Sequence, residues 1–384
     1  MVLIDEKGSD LLVKYDDAKR MLKEAKTSEE RLAISNYLGN IYSALLCMGK
    51  TDLDFERNKI FGGKKEYNKF VKKINIYDDR LVHNFILHKD FHHDYMGEIL
   101  PTVEDELINV FECTFDEDKL TKEEIIEIVF EFMKGLGLET LFDEFYKNGR
   151  IHSTLVGQEE GNLGFTLYNP LNKDTDIFVR EFDEDFTSLH TLVHELGHGY
   201  DLKRFDGSID DYNDYFYLSF YGETISRLFE RLLFRYLIKN DIKADMARDK
   251  LIDTEDLNHD FLLQTYLLSV LEDDYLLSGE YLEFKKEKII KKVRRHFMDE
   301  ECVREFLDRI TDLDISDACN YAYGDILSMF LCEEVEANGF NSDLLDYFLS
   351  HRKDKFDPEL FRELGFGPEN YKFLYKKETQ LIKK

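Results

Sequence analysis

The chain has 384 residues, 43% of them hydrophobic, enough to bury a sizeable core, and its four prolines leave long stretches with no helix breaker. A formal net charge of −29 repels phosphate backbones and anionic lipid, so neither nucleic acid nor a membrane surface is expected as a partner. Cys47, Cys113, Cys302, Cys319 and Cys332 are scattered, odd in number and contain no C-x-x-C pair, which argues against a disulfide framework and a thiolate metal site.

Taken in chain order, Met1-Val2-Leu3-Ile4-Asp5 shows no basic stretch leading into a long apolar run, so no signal peptide is expected. No segment approaches the ~18 consecutive apolar residues of a membrane span, and a cytoplasmic protein is expected. From about residue 10 to 148 the pattern predicts successive amphipathic helices. Thr27-Ser28-Glu29-Glu30 and Thr121-Lys122-Glu123-Glu124 fit the capping box, and Gly49, Gly62-Gly63 and Gly135/Gly137 mark breaks. Between Arg150 and Phe182 the texture changes. Ile151 to Val156, Leu163 to Tyr168 and Ile177 to Phe182 are short, turn-bounded runs that predict a small sheet. Helical patterning resumes near Phe186, and Pro358 and Pro368 each stand at a predicted first helical position. With no repeat or low-complexity linker, one domain over 1–384 is expected, with an N-terminal helical part (1–149) and a second part (150–384) holding the small sheet (150–182).

Residues 190–201 read His-Thr-Leu-Val-His-Glu-Leu-Gly-His-Gly-Tyr-Asp and contain H-E-x-x-H at His194, Glu195 and His198. On a helix, i and i+4 lie one turn apart on one face, ~5–6 Å between Cβ atoms. Both imidazoles can therefore reach one Zn²⁺, and Glu195 is placed to take a proton from a water at the metal. A chance match on an ordinary surface helix is the bland alternative. Against it, Leu189, Leu192, Val193, Leu196 and Tyr200 form one apolar stripe, while the histidines fall on the opposite side. Gly197 and Gly199 weaken the helix but allow another element to come close.

A catalytic zinc needs a third protein ligand and an open position. In the segment from Tyr215 to Leu237, Tyr221, Ile225, Leu228, Phe229, Leu232 and Tyr236 form an apolar stripe. Glu223, Arg227 and Glu230 lie on the far side, among Phe216, Phe220 and Phe234. Glu223 is the candidate ligand and Glu230 a candidate to orient a histidine ring, though Glu223 and Arg227 could equally form an i,i+4 surface ion pair. Asp201 could also orient a ligand histidine, or simply be exposed near the helix end. His190 reads as a partner behind the ligands or as exposed. His88 and His92, also at i,i+4 but without acidic companions, read as a solvated face.

The stretch Thr191-Leu192-Val193-His194-Glu195-Leu196-Gly197-His198 resembles the T-L-x-H-E-x-G-H core of the thimet oligopeptidase and oligoendopeptidase F family of zinc peptidases. The spacing to that family's third ligand, and to a second Glu seven residues on, matches Glu223 and Glu230. Gly164-Phe165 resembles a Gly-aromatic element before the zinc helix, and Tyr321-Ala322-Tyr323-Gly324 resembles a Y-A-x-G segment. The resemblance implies that Tyr321 or Tyr323 hydrogen-bonds the tetrahedral intermediate. It covers residues 187–230, extends to 150–186 and 315–330, and does not reach 1–149; the chain is also shorter than typical members.

The expected fold class is therefore mainly α, a zincin-like helical metallopeptidase with one small β-sheet beside the active-site helix. The expected activity is hydrolysis of short unstructured peptides, using one Zn²⁺ held by His194, His198 and Glu223 with Glu195 as base. A zinc carboxypeptidase with the same motif, or a non-catalytic zinc- or peptide-binding helical protein, are the alternatives.

Overall fold

Two N-terminal helices, α1 (Ser9–Glu24) and α2 (Ser28–Cys47), pack against each other. Their apolar faces, among them Leu11, Tyr15, Leu22, Ile34 and Ile41, close over Leu167 and Phe178 of the sheet. The protein is represented by a computed structural model that describes residues 9–47, 64–110, 120–154, 164–180, 186–278, 315–352 and 356–383. Gly49 and Gly62-Gly63 lie outside the described residues. The capping box before α2 is formed: Glu30 N–H donates to Thr27 Oγ1 (3.0 Å) and Thr27 N–H to Glu30 Oε2 (3.2 Å).

Helices α3 (Lys64–Leu87), α4 (Lys89–Val110), α5 (Lys122–Gly135) and α6 (Glu139–Lys147) follow. Thr121 and Glu124 form the reciprocal cap of α5, and Gly137, at φ +72°, takes the left-handed turn after it. The sheet comprises β1 (Ile151–Thr154), β2 (Gly164–Asn169) and β3 (Asp174–Arg180) in the order β1-β3-β2. β1 runs parallel and β2 antiparallel to β3. β3 starts three residues earlier than its apolar run suggests. Asp174 pairs with Asn169 across the turn, and Asp176 is buried against Lys14 and His152, so polar residues begin this strand and hide it from a hydrophobic reading.

The remaining helices are α7 (Phe186–Lys203), α8 (Ile209–Leu218), α9 (Thr224–Lys239), α10 (Ala244–Val270), α11 (Asp273–Ser278), α12 (Ile315–Asn338), α13 (Asp343–His351), α14 (Pro358–Glu363) and α15 (Pro368–Ile382). Helix α9 is central. It packs on α7, α10 and α12, and even its charged Arg227, Glu230, Arg231 and Arg235 are buried. Buried ions persist only when paired. Arg231 meets Glu255 at 2.9 Å, Glu378 at 3.2 Å and Asp325, and Arg235 meets Glu378 at 2.5 Å, which ties α15 to the centre. Among the described residues no helix is long and apolar enough to cross a membrane. The fold is mainly α with one small sheet lying against α7.

Candidate metal centre

The apolar stripe of α7 is buried as its periodicity requires: Leu189, Leu192, Val193 and Leu196 are fully covered. This leaves His194 and His198 on the other side, facing a cleft of ≈ 880 Å³ between the sheet, α3, α8, α9 and the start of α12. Helix α9 can lie close enough to complete a site because of Gly197. A Cβ there would fall 2.6 Å from Ser226 Cα and 2.9 Å from the Ile225 carbonyl oxygen. Gly199 likewise leaves room for Phe145.

Glu223 does not sit within a continuous helix from Tyr215 to Leu237. The chain breaks between α8 and α9, and Glu223 is the N-cap residue of α9. The break is built from side-chain bonds: Tyr221 N–H donates to Ser219 Oγ (2.9 Å), and Gly222 N–H to Asn320 Oδ1 (3.2 Å). Gly324 on α12 admits the stem of Glu223, since a Cβ at 324 would stand 2.8 Å from Glu223 Cβ. Ser226 Oγ lies 2.9 Å from Glu223 Oε2, a contact the sequence pattern did not suggest.

Three donor atoms converge. Glu223 Oε2 is 3.3 Å from both His194 Nε2 and His198 Nε2, and the two nitrogens are 3.2 Å apart. Ligands placed tetrahedrally at ~2.0–2.1 Å from zinc stand about 3.3–3.4 Å from one another, so this triangle has the dimensions of one face of such a site. Its chemistry also fits. His194 donates Nδ1–H to Glu230 Oε1 at 2.5 Å, which turns the Nε2 lone pair toward Glu223 and His198. Among the described residues, His194, His198 and Glu223 form a group able to hold a metal ion.

The carboxylates dominate the electrostatics of the group. Burial opposes charge on His194, but Glu230 and Glu223 outweigh it and lift the imidazole to about 10. Burial likewise opposes charge on Glu223, yet His198 and His194 hold its carboxyl well below the usual range. Glu195, 4% exposed, is pushed up by burial, against the neighbouring histidines. With no metal, protons on the imidazoles neutralise the carboxylates; a divalent cation could take their place.

Glu230 is shared. Besides His194 it accepts from Arg227 Nη1 (2.7 Å), and His190 Nε2 lies 3.2 Å away, so His190 stands behind His194 rather than in solvent. Arg227 therefore pairs with Glu230, not with Glu223, and it is buried. The two tyrosines separate. Tyr321 lines the cleft, stacked on Phe261 (4.4 Å) with the Arg227 guanidinium 5.2 Å from its ring centroid. Tyr323 is fully buried away from the cleft lining, and its phenol shares a 2.5 Å hydrogen bond with His92 Nδ1, so it cannot reach a bound peptide. His92 is accordingly a core residue, not part of a solvated face. Asp201 is also reassigned. It pairs with Arg352 and accepts from Tyr215 Oη at 2.5 Å, anchoring the end of α7 rather than a ligand histidine.

No family model matches the chain, and no curated protein matches it either. A solved structure does. The crystal structure of a putative peptidase from Chlamydophila abortus superposes with a TM-score of 0.50 at 15% identity, covering 96% of this chain and 66% of that one. The chain thus spans a little under two thirds of that protein's length, and the two share a mainly α fold.

Proposed function

We propose that the chain is a zinc-dependent endopeptidase acting on short unstructured peptides, related to the thimet oligopeptidase and oligoendopeptidase F family. The observation that carries this reading is the convergence of His194 Nε2, His198 Nε2 and Glu223 Oε2, 3.2–3.3 Å from one another, at the wall of an open cleft that Glu195 also lines. A zinc ion bound there would serve as a Lewis acid toward the scissile carbonyl and the attacking water.

Glu195 takes the proton of the attacking water and returns it to the leaving amine. Burial raises its carboxyl toward the range in which one group can do both. Tyr321 donates to the developing oxyanion; the charge of Glu223, followed by burial, keeps its phenol protonated. Glu230, clamped by Arg227, fixes the ring of His194. β2, at the sheet edge and lining the cleft, is suited to pair with an extended substrate backbone. A peptide of a few residues fills a cleft of this size, and a folded protein does not enter it.

The test is bound-metal analysis with cleavage of quenched peptides carrying free or blocked C-termini. Wild type is expected to hold one zinc and to cut both kinds. Glu195→Gln is expected to keep zinc and lose roughly 10²-fold or more in kcat. Glu223→Ala is expected to lose zinc. Full activity in Glu195→Gln would sink the mechanism, and failure on blocked peptides alone would favour a carboxypeptidase.

A further inference from the structure

β2 reaches Glu195 with two residues of one face. Side chains alternate along a strand, so Gly164 and Thr166 share a side, while Phe165 and Leu167 turn to the cluster under α1 and α2. At Gly164 the strand comes very close to α7: a Cβ there would lie 2.6 Å from Thr191 Cγ2 and 2.9 Å from Glu195 Cγ. Two residues on, Thr166 Oγ1 stands 2.8 Å from Glu195 Oε2 and 3.0 Å from the Glu195 carbonyl oxygen. The hydroxyl has one proton to donate, and an ionised carboxylate is the stronger acceptor.

We infer that Thr166 is the positioning residue for Glu195, binding Oε2 so that Oε1 is the oxygen that exchanges a proton with water and leaving group. This rests on the peptidase reading above. A glutamate side chain has three rotatable bonds, and burial alone does not select one carboxylate orientation. A donor on a strand does, because the backbone of β2 is paired to β3 from Gly164↔Val179 to Asn169↔Asp174 and cannot follow the carboxylate as it turns. Threonine suits the task better than serine, since its branched Cβ restricts χ1 and aims the hydroxyl. When Glu195 is protonated on Oε1, Oε2 still accepts from Thr166, and the Glu195 carbonyl oxygen at 3.0 Å offers a second acceptor, so the hydroxyl proton keeps a partner throughout the cycle.

The experiment compares wild type, Thr166→Val and Thr166→Ser by three readouts: thermal midpoint of the metal-free protein, zinc content, and kcat and KM on a quenched peptide. Valine keeps the shape and removes the donor. Thr166→Val is expected to lower the metal-free midpoint by about 2 °C. It should retain one zinc, keep KM within about twofold and lose about ten- to a hundredfold in kcat, the scale of misplacing a general base. Thr166→Ser should recover most of the midpoint and the kcat. The inference is overturned if Thr166→Val matches wild type in kcat, if its loss falls on KM, or if serine and valine behave alike. A wild type that turns over while Thr166→Val equals it overturns this inference alone. A zinc-loaded wild type that cuts no peptide overturns the peptidase reading and the positioning role with it.

Discussion

His92 illustrates how burial changes what a residue does. With His88 it has the i,i+4 spacing of a metal pair, yet it is fully buried, stacked on Phe85 at 4.5 Å and bonded to Tyr323. Burial, helped by nearby His88, pushes its imidazole down to about 3. The free side chain titrates near 6.5. Below pH ~6.5 the unfolded chain therefore takes up a proton that the native state refuses, and stability falls as pH drops from ~6.5 toward 3. One such group contributes a slope of up to about 1.4 kcal/mol per pH unit. Urea midpoints of wild type and His92→Leu between pH ~7.5 and ~5 check this: the variant is less stable throughout, but its pH slope is shallower by up to one proton. Equal slopes would show that His92 does not titrate in the unfolding equilibrium.

At the scale of elements, the site depends on how closely α9 approaches α7. Helical periodicity placed Glu223 opposite the apolar stripe, and the segment from Tyr215 to Leu237 is divided between α8 and α9. Ser219, Gly222 and Asn320 interrupt the chain so that Glu223 takes the N-cap position of α9 and turns its carboxylate toward the histidines. The Gly222–Asn320 contact joins residues 98 positions apart, and no local pattern encodes it. The close approach rests on Gly197. Gly197→Ala puts a methyl 2.6 Å from the Ser226 backbone, so α9 must retreat and carry Glu223 with it. Alanine favours a helix more than glycine does, yet overpacking of this kind typically costs about 1–3 kcal/mol. The expected outcome is a lower denaturation midpoint together with weaker zinc retention in a chelator competition. A more stable variant with unchanged zinc affinity would show that α9 yields freely.

At the scale of the whole molecule, the formal charge of −29 coexists with an interior whose charges are paired, as around Arg231 and Arg235. The excess negative charge therefore lies mainly toward solvent, where it repels itself and is screened within ~10 Å at 0.1 M salt. Raising NaCl from ~0.02 to ~0.5 M should raise the thermal midpoint, because screening relieves surface repulsion and barely touches buried pairs. A falling midpoint would mean that solvent-exposed attractive pairs outweigh the repulsion.

The amino-acid sequence by itself determined the helical class, the small sheet before α7, both capping boxes and the grouping of His194, Glu195 and His198. All of these follow from periodicity or spacing within a few residues. Only the tertiary structure decided which of Tyr321 and Tyr323 faces the cleft, that Asp201 serves Arg352, that His92 belongs to the core, and that Thr166 touches Glu195. Two tyrosines two residues apart on one helix differ by about 200° in direction, and which of them meets the cleft depends on how α12 is rotated against its neighbours. That rotation is set by packing across the whole core, such as Gly324 against Glu223 and Tyr323 against His92, and not by the residues beside it in the chain.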